Sequence, residues 1–119
     1  MTEPIYRDRR RLERRNLAYY MPVLDSNTQK VIGHLVDISQ KGLMMDSKAP
    51  IPTNLIYDLH LDFMEAVDGK GSLDFTARSK WCRPDSIQPF LYNAGFEFVD
   101  IAPEDTEVVK SIAEKYGAS

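Results

Sequence analysis

Leu55, Tyr57, Leu59, Leu61 and Phe63 point to one side of an extended chain, and Asp58, His60 and Asp62 to the other. A period of two cannot be a helical stripe; it demands a strand with one dry face and one wet face. The pattern recurs. Leu73, Phe75, Ala77, Ser79 and Trp81 alternate with Asp74, Thr76, Arg78 and Lys80, and Ala94, Phe96 and Phe98 share one face of Tyr92–Val99. Upstream, Leu17–Asp25 and Lys30–Ile38 are two β-rich runs joined by the turn chemistry of Asp25-Ser26-Asn27-Thr28, which gives a hairpin. A short run, Leu43-Met44-Met45, follows the turn closed by Gly42, and Pro50 and Pro52 interrupt any ladder beyond it. Asp68-Gly69-Lys70-Gly71 and Pro84–Pro89 read as loops.

After the sixth run the period changes. Pro103 suits the first turn of a helix, and Glu104, Asp105 and Glu107 sit where the helix dipole favours anions. Val108, Val109, Ile112, Ala113 and Tyr116 then fall on one helical face, with Gly117 as the stop. Six strands followed by one helix predict a mainly-β fold: a small six-stranded antiparallel β-barrel closed by a C-terminal α-helix. At 119 residues this is one domain with one core. Residues 1–16 have neither period and are expected to form a flexible basic arm. Residues 17–119 are expected to form the barrel, with the helix at about 103–116.

Charge and composition remove several classes of function. The formal net charge of −3 conceals an asymmetry: six arginines against Glu3, Asp8 and Glu13 leave the first twenty residues at +3, so residues 21–119 carry −6. Broad duplex binding wants a basic face across the whole domain, so DNA is not an expected partner. A single cysteine, Cys82, permits neither an internal disulfide nor a thiolate metal site, and nothing marks a base or an oxyanion pocket to activate it. His34 and His60 stand on solvent-facing parity and lack metal-ligand spacing; they read as solvated strand histidines. Gly69-Lys70-Gly71 lacks the spacing of a phosphate loop, and Trp81 reads as core. No run approaches the ~18 apolar residues of a membrane span, and no apolar stretch follows the basic N-terminus. The expectation is a cytoplasmic protein with no membrane insertion, no metal and no catalytic residues.

Two motifs remain. Arg7-Asp8-Arg9-Arg10-Arg11-Leu12-Glu13-Arg14-Arg15 packs six guanidinium groups into nine residues. Asp37-Ile38-Ser39-Gln40-Lys41-Gly42 ends a strand with a carboxylate, a hydroxyl and a bare backbone at i, i+2 and i+5. Alone, the second is a plausible turn in which Asp and Ser satisfy backbone amides and Gly supplies a positive φ. Together they suit a ligand that is anionic in its middle and carries guanine edges at its ends. A guanidinium reaches guanine O6 and N7 with two parallel donors, grips phosphate with the same fork, and stacks on a purine. Asp37 can accept from guanine N1–H and N2–H₂, Ser39 can bond phosphate or a base edge, and Gly42 leaves room for close approach.

The pair resembles the PilZ domain, a family of small bacterial receptors for cyclic di-GMP marked by R-x-x-x-R, a strand hairpin and then [D/N]-x-S-x-x-G. Asp37, Ser39 and Gly42 match the second motif at every defined position. Asn93-Ala94-Gly95-Phe96-Glu97-Phe98 is similar to the last barrel strand of the family, which a helix also follows. For R-x-x-x-R, Arg11 and Arg15 are favoured because the first strand begins soon after them; Arg10 and Arg14 are the second register. The resemblance implies a receptor and not an enzyme. Cyclic di-GMP would be held by Arg10, Arg11, Arg14, Arg15, Asp37, Ser39 and Gly42, with no cofactor, and an effector protein would receive the signal. Arg10, a long polar residue just before the favoured pair, goes in that family with two stacked ligand molecules per domain. The alternatives are a PilZ-like adaptor that binds no nucleotide, which the intact second motif disfavours, and a small barrel for single-stranded nucleic acid. The latter expects a basic groove that the acidic body lacks.

Overall fold

The computed structural model describes residues 21–116: strands β1 (Pro22–Asp25), β2 (Val31–Ile38), β3 (Gly42–Ser47), β4 (Ile56–Val67), β5 (Lys70–Pro84) and β6 (Tyr92–Asp100), then helix α1 (Pro103–Tyr116). All strand pairs are antiparallel, in the order β1-β2-β3-β6-β5-β4, and β4 returns to β1 through Val23↔Leu61 and Leu24↔His60. The ring closes, so among the described residues every strand has a partner on both sides over part of its length. This is the mainly-β barrel with a C-terminal helix that the periodicity predicts. The remainder of the Leu17–Asp25 run, the basic arm, the Tyr116 side chain and the stop at Gly117 lie outside the described residues.

The alternation fills the barrel. Val23, Leu35, Met45, Leu59, Leu61, Leu73, Phe75, Ala77 and Ala94 are buried inside it, and Val108, Val109 and Ile112 of α1 join the same core. Burial of each large aliphatic side chain contributes about 1.5–3 kcal/mol. The helix packs on β2 and β4 and is tied to the β4–β5 hairpin at two points. Lys70 Nζ pairs with the buried Asp105 carboxylate, and Ser111 Oγ donates to Asp68 Oδ2 at 2.8 Å.

Several expectations need correction. Asp68-Gly69-Lys70-Gly71 is not a loop. Val67 pairs with Lys70 across a two-residue Asp68-Gly69 turn with φ of 50° and 81°, the mirror-image turn whose twist matches the strands it joins. β4 therefore runs on to Val67, and Leu55 lies before its start, 48 % exposed, instead of sharing the core face. The histidines are not simply solvated. His60 lies opposite Asp74 and two residues from Asp62 on the same face, and its Nδ1 and Nε2 lie 2.8 Å from the respective carboxylates. His34 lies opposite Asp46, with Nδ1 3.8 Å from its carboxylate. Cross-strand pairing supplies these partners, which a parity count along one strand cannot see.

Candidate functional site

Strict alternation would put Leu35 and Ile38, three residues apart, on opposite faces, yet both are buried. The register explains it: Leu35 faces Met45 and Asp37 faces Met44, so Val36 is an extra residue in β2. The bulge resets the parity, and Asp37 and Ser39 come to line an outer groove. A second bulge does the same on β5. Ser79 faces Phe96 and Trp81 faces Gly95, leaving Lys80 extra. Ser79 stays fully buried, whereas Trp81 turns outward and is only half-buried. The expectation that Trp81 is core is thus overturned by one inserted residue.

Between the bulged strands, β3 and β6 form the floor of a groove of about 350 Å³. Asp37, Ser39, Lys41 and Gly42 line one part of it, and Lys80, Trp81, Gly95 and Glu97 another. The turn is tied to this floor. Ser39 N–H donates to Gly42 O at 2.8 Å, Ser39 Oγ accepts from Lys41 N–H at 3.2 Å, and Phe98 N–H donates to Lys41 O at 2.9 Å. Asp37 Oδ1 accepts from Ile38 N–H at 2.9 Å. Gly42 answers a different need from the positive φ expected of a turn glycine. Its φ is not in that region; a Cβ there would lie 1.9 Å from Phe96 O, so only glycine lets β3 pair with β6 at this point.

Gly95 serves the tryptophan in the same way. A Cβ at Gly95 would come within 2.3 Å of the indole, so the ring lies directly over bare β6 backbone. The Arg83 guanidinium carbon is 4.4 Å from the Trp81 ring centroid, in cation–π range. Lys80 Nζ and Glu97 Oε1 stand 3.7 Å apart, both about half exposed, so this pair adds little stability. The groove therefore combines two carboxylates, a hydroxyl, two ammonium groups and an aromatic plane, which suits a ligand with flat rings that carries both hydrogen-bond donors and negative charge.

Asp37, Ser39 and Gly42 all line this groove. Arg10, Arg11, Arg14 and Arg15 lie outside the described residues. Sequence reasoning did not place Trp81, Lys80 or Gly95 here. The available signal was Ser79, a polar residue on the core parity of β5, next to a residue that has to bulge out. Elsewhere, hydrogen bonding to Asp74, and then Asp62, raises the His60 pKa above 6.5, while burial lowers that of His34. Among the described residues no group of His, Cys, Asp and Glu could hold a metal ion, and no helix is long and apolar enough to cross a membrane.

The PilZ domain family model matches residues 8–115. No curated protein matches the chain. Among solved structures the chain is similar to the PilZ domain with c-di-GMP of YcgR from Escherichia coli, at 14 % identity and a TM-score of 0.61, over 82 % of this chain and 81 % of that one. At that identity the likeness speaks for the fold, and the YcgR domain has the same kind of barrel. With the family model spanning almost all of the sequence, the chain belongs to the PilZ domain family.

Proposed function

We propose that this protein is a receptor, not an enzyme, that binds cyclic di-GMP in the groove between the Ser39–Gly42 turn and Trp81 and relays the signal to an effector protein in the cytoplasm. The observation that carries the proposal is that two β-bulges turn Asp37, Ser39 and Trp81 outward to line one groove. In this reading Asp37 accepts from the guanine N1–H and N2–H₂ edge, and Ser39 bonds a phosphate oxygen. The indole plane stacks on a base once the Arg83 guanidinium over the ring moves aside, a contact worth about 1–3 kcal/mol. Lys41 and Lys80 lower the cost of bringing phosphates alongside Asp37 and Glu97. The structure of the YcgR domain with c-di-GMP supports the ligand class.

The basic arm, residues 1–16, completes the site in this proposal by folding over a ligand held against the barrel of residues 17–119. Arg11 and Arg15 supply bidentate contacts to guanine and phosphate, with Arg10 and Arg14 as the second register. Arg10 provides a further fork and a flat cation for a second molecule, so two ligands stack per domain.

Calorimetry on the purified chain tests this. Saturable binding of cyclic di-GMP is expected at a ligand-to-protein ratio near two, and Arg10→Leu should move the ratio toward one. Cyclic di-AMP presents an amine where guanine has O6, and each mismatch costs on the order of 1–3 kcal/mol. Equal heats with the two dinucleotides, or none with either, would refute the proposal.

A further inference from the structure

At the end of the β2–β3 hairpin away from the Ser39–Gly42 turn, Val31, Ile32, Pro50, Pro52, Tyr57 and Leu91 line an apolar pocket of about 570 Å³. The pairing of Ser47 with Tyr92 brings the β5–β6 loop, residues 85–91, to the same end. That loop is held firmly. The buried Asp85 accepts from the Ile87 and Gln88 amides at 2.8 and 3.0 Å through Oδ1, and from Asn93 Nδ2 at 3.0 Å through Oδ2. Asp85 N–H donates to Leu91 O at 2.9 Å, and Leu91 N–H donates to Gln88 O at 3.1 Å. Phe90, the neighbour of Leu91, is nevertheless 85 % exposed. A phenylalanine buries roughly 150–250 Å² when covered. Here a pre-ordered loop holds one out in water beside an apolar pocket, so its ordering cost is already met before anything binds.

The charge around the pocket is also distinctive. In residues 30–34, 46–52 and 85–91 the exposed charges are Lys30 and Lys48, while the acids Asp46 and Asp85 are buried. Asp25, in the adjoining turn, accepts from the Asn27 and Thr28 amides. Lys30 and Lys48 thus put positive charge on part of the rim, with Asp25 and the exposed Asp58 adjoining it beside Tyr57, on a body, residues 21–119, whose net charge is −6.

We propose that this end of the barrel docks a partner protein through a short apolar segment flanked by acidic residues, with Phe90 as the anchor and Lys30 and Lys48 as the charged rim. Two copies of this chain meeting here face to face would set lysine against lysine, which disfavours a second copy as the occupant. The inference takes from the proposed function only that an effector exists.

The probe is a random peptide library displayed on phage and selected on the intact chain. The enriched peptides are expected to combine aromatic or aliphatic residues with Asp or Glu. A synthetic peptide of the enriched sequence should bind Phe90→Ala about tenfold or more weakly, and Lys48→Glu about two- to fivefold more weakly. Cyclic di-GMP titrations of the same variants separate this site from the groove at Trp81: both should bind nucleotide, or fail to, as the wild type does. Enriched peptides that bind wild type and Phe90→Ala alike, or that lack acids, would overturn the proposal. So would the absence of any enrichment. A dimer in sedimentation that dissociates on Phe90→Ala would give the surface to a second copy instead.

Discussion

At the Ser39 end of the β2–β3 hairpin, polar groups face outward into an open groove; at the Val31 end, the acids Asp46 and Asp85 are buried and a mostly apolar pocket edged by Lys48 faces out. The ends are separated by about 23 Å, since the eight residues of β2 make seven steps of about 3.3 Å each. Asp37 lines the groove at the first end. Asp46 and Asp85, at the second, are buried, and Asp85 braces its own loop. The same strands thus make two surfaces of different chemistry. The first is made by bulges in β2 and β5, and the second by a loop fixed around one buried carboxylate. The difference teaches that on a closed barrel specificity comes from irregularities in the strands and from their connections.

The largest expected effect breaks the groove end itself. Gly42→Val sets side-chain atoms against the Phe96 carbonyl and should lower stability by about 3 kcal/mol, read by urea denaturation. A variant as stable as wild type would show that β3 and β6 need not approach so closely. Next, Asp37→Ala and Arg15→Ala should each weaken cyclic di-GMP binding by roughly 1.5–3 kcal/mol with circular dichroism unchanged. If Arg10→Ala and Arg14→Ala are the damaging pair, the arm is read one residue out of register. If Asp37→Ala melts earlier but binds normally, its carboxylate serves the turn alone.

Trp81→Ala should cost about 1–3 kcal/mol of binding, and Trp81→Phe should recover part of it, because the stacking plane and not the indole N–H is the contact. Phe90→Ala, at the other end, should leave that affinity unchanged, which sharpens the contrast between the two surfaces.

The smallest effect concerns the β4–β5 wall. His60 has a raised folded-state pKa through its bonds to Asp74 and Asp62. Its contribution to stability is fully present below the unfolded value of about 6.5 and fades as pH rises through the folded value. His60→Gln should therefore lower the melting temperature by a few degrees near pH 5.5 and by less near pH 9. An equal loss at both values would mean that the histidine is held by packing and not by charge.

Much of the barrel was legible because alternation is a local property. Leu59, Leu61, Leu73, Phe75 and Ala77 face inward where their period puts them, and Val108, Val109 and Ile112 keep the helical period. Asp68-Gly69 was legible in principle, since that dipeptide favours the positive φ values of a two-residue hairpin. The two bulges were not. An extra residue at Val36 or Lys80 is defined only against the partner strand, and one such residue reverses everything beyond it. Asp37 and Ser39 were singled out by motif chemistry, and the bulge places both along the groove. Trp81, judged by parity alone, was assigned to the wrong side. The pairing of His60 with Asp74 was hidden for the same reason, because fourteen residues separate the partners along the chain.

Trp81 is the only tryptophan in the chain, so its emission reports on the groove without interference. Titrating the wild-type protein with cyclic di-GMP while following that emission is the most direct test of the proposed site. A saturable change is expected that cyclic di-AMP does not reproduce at the same concentrations and that Asp37→Ala shifts about ten- to hundredfold higher in ligand. Calorimetric binding of cyclic di-GMP with no change at Trp81, or with Asp37→Ala indistinguishable from wild type, would contradict the site.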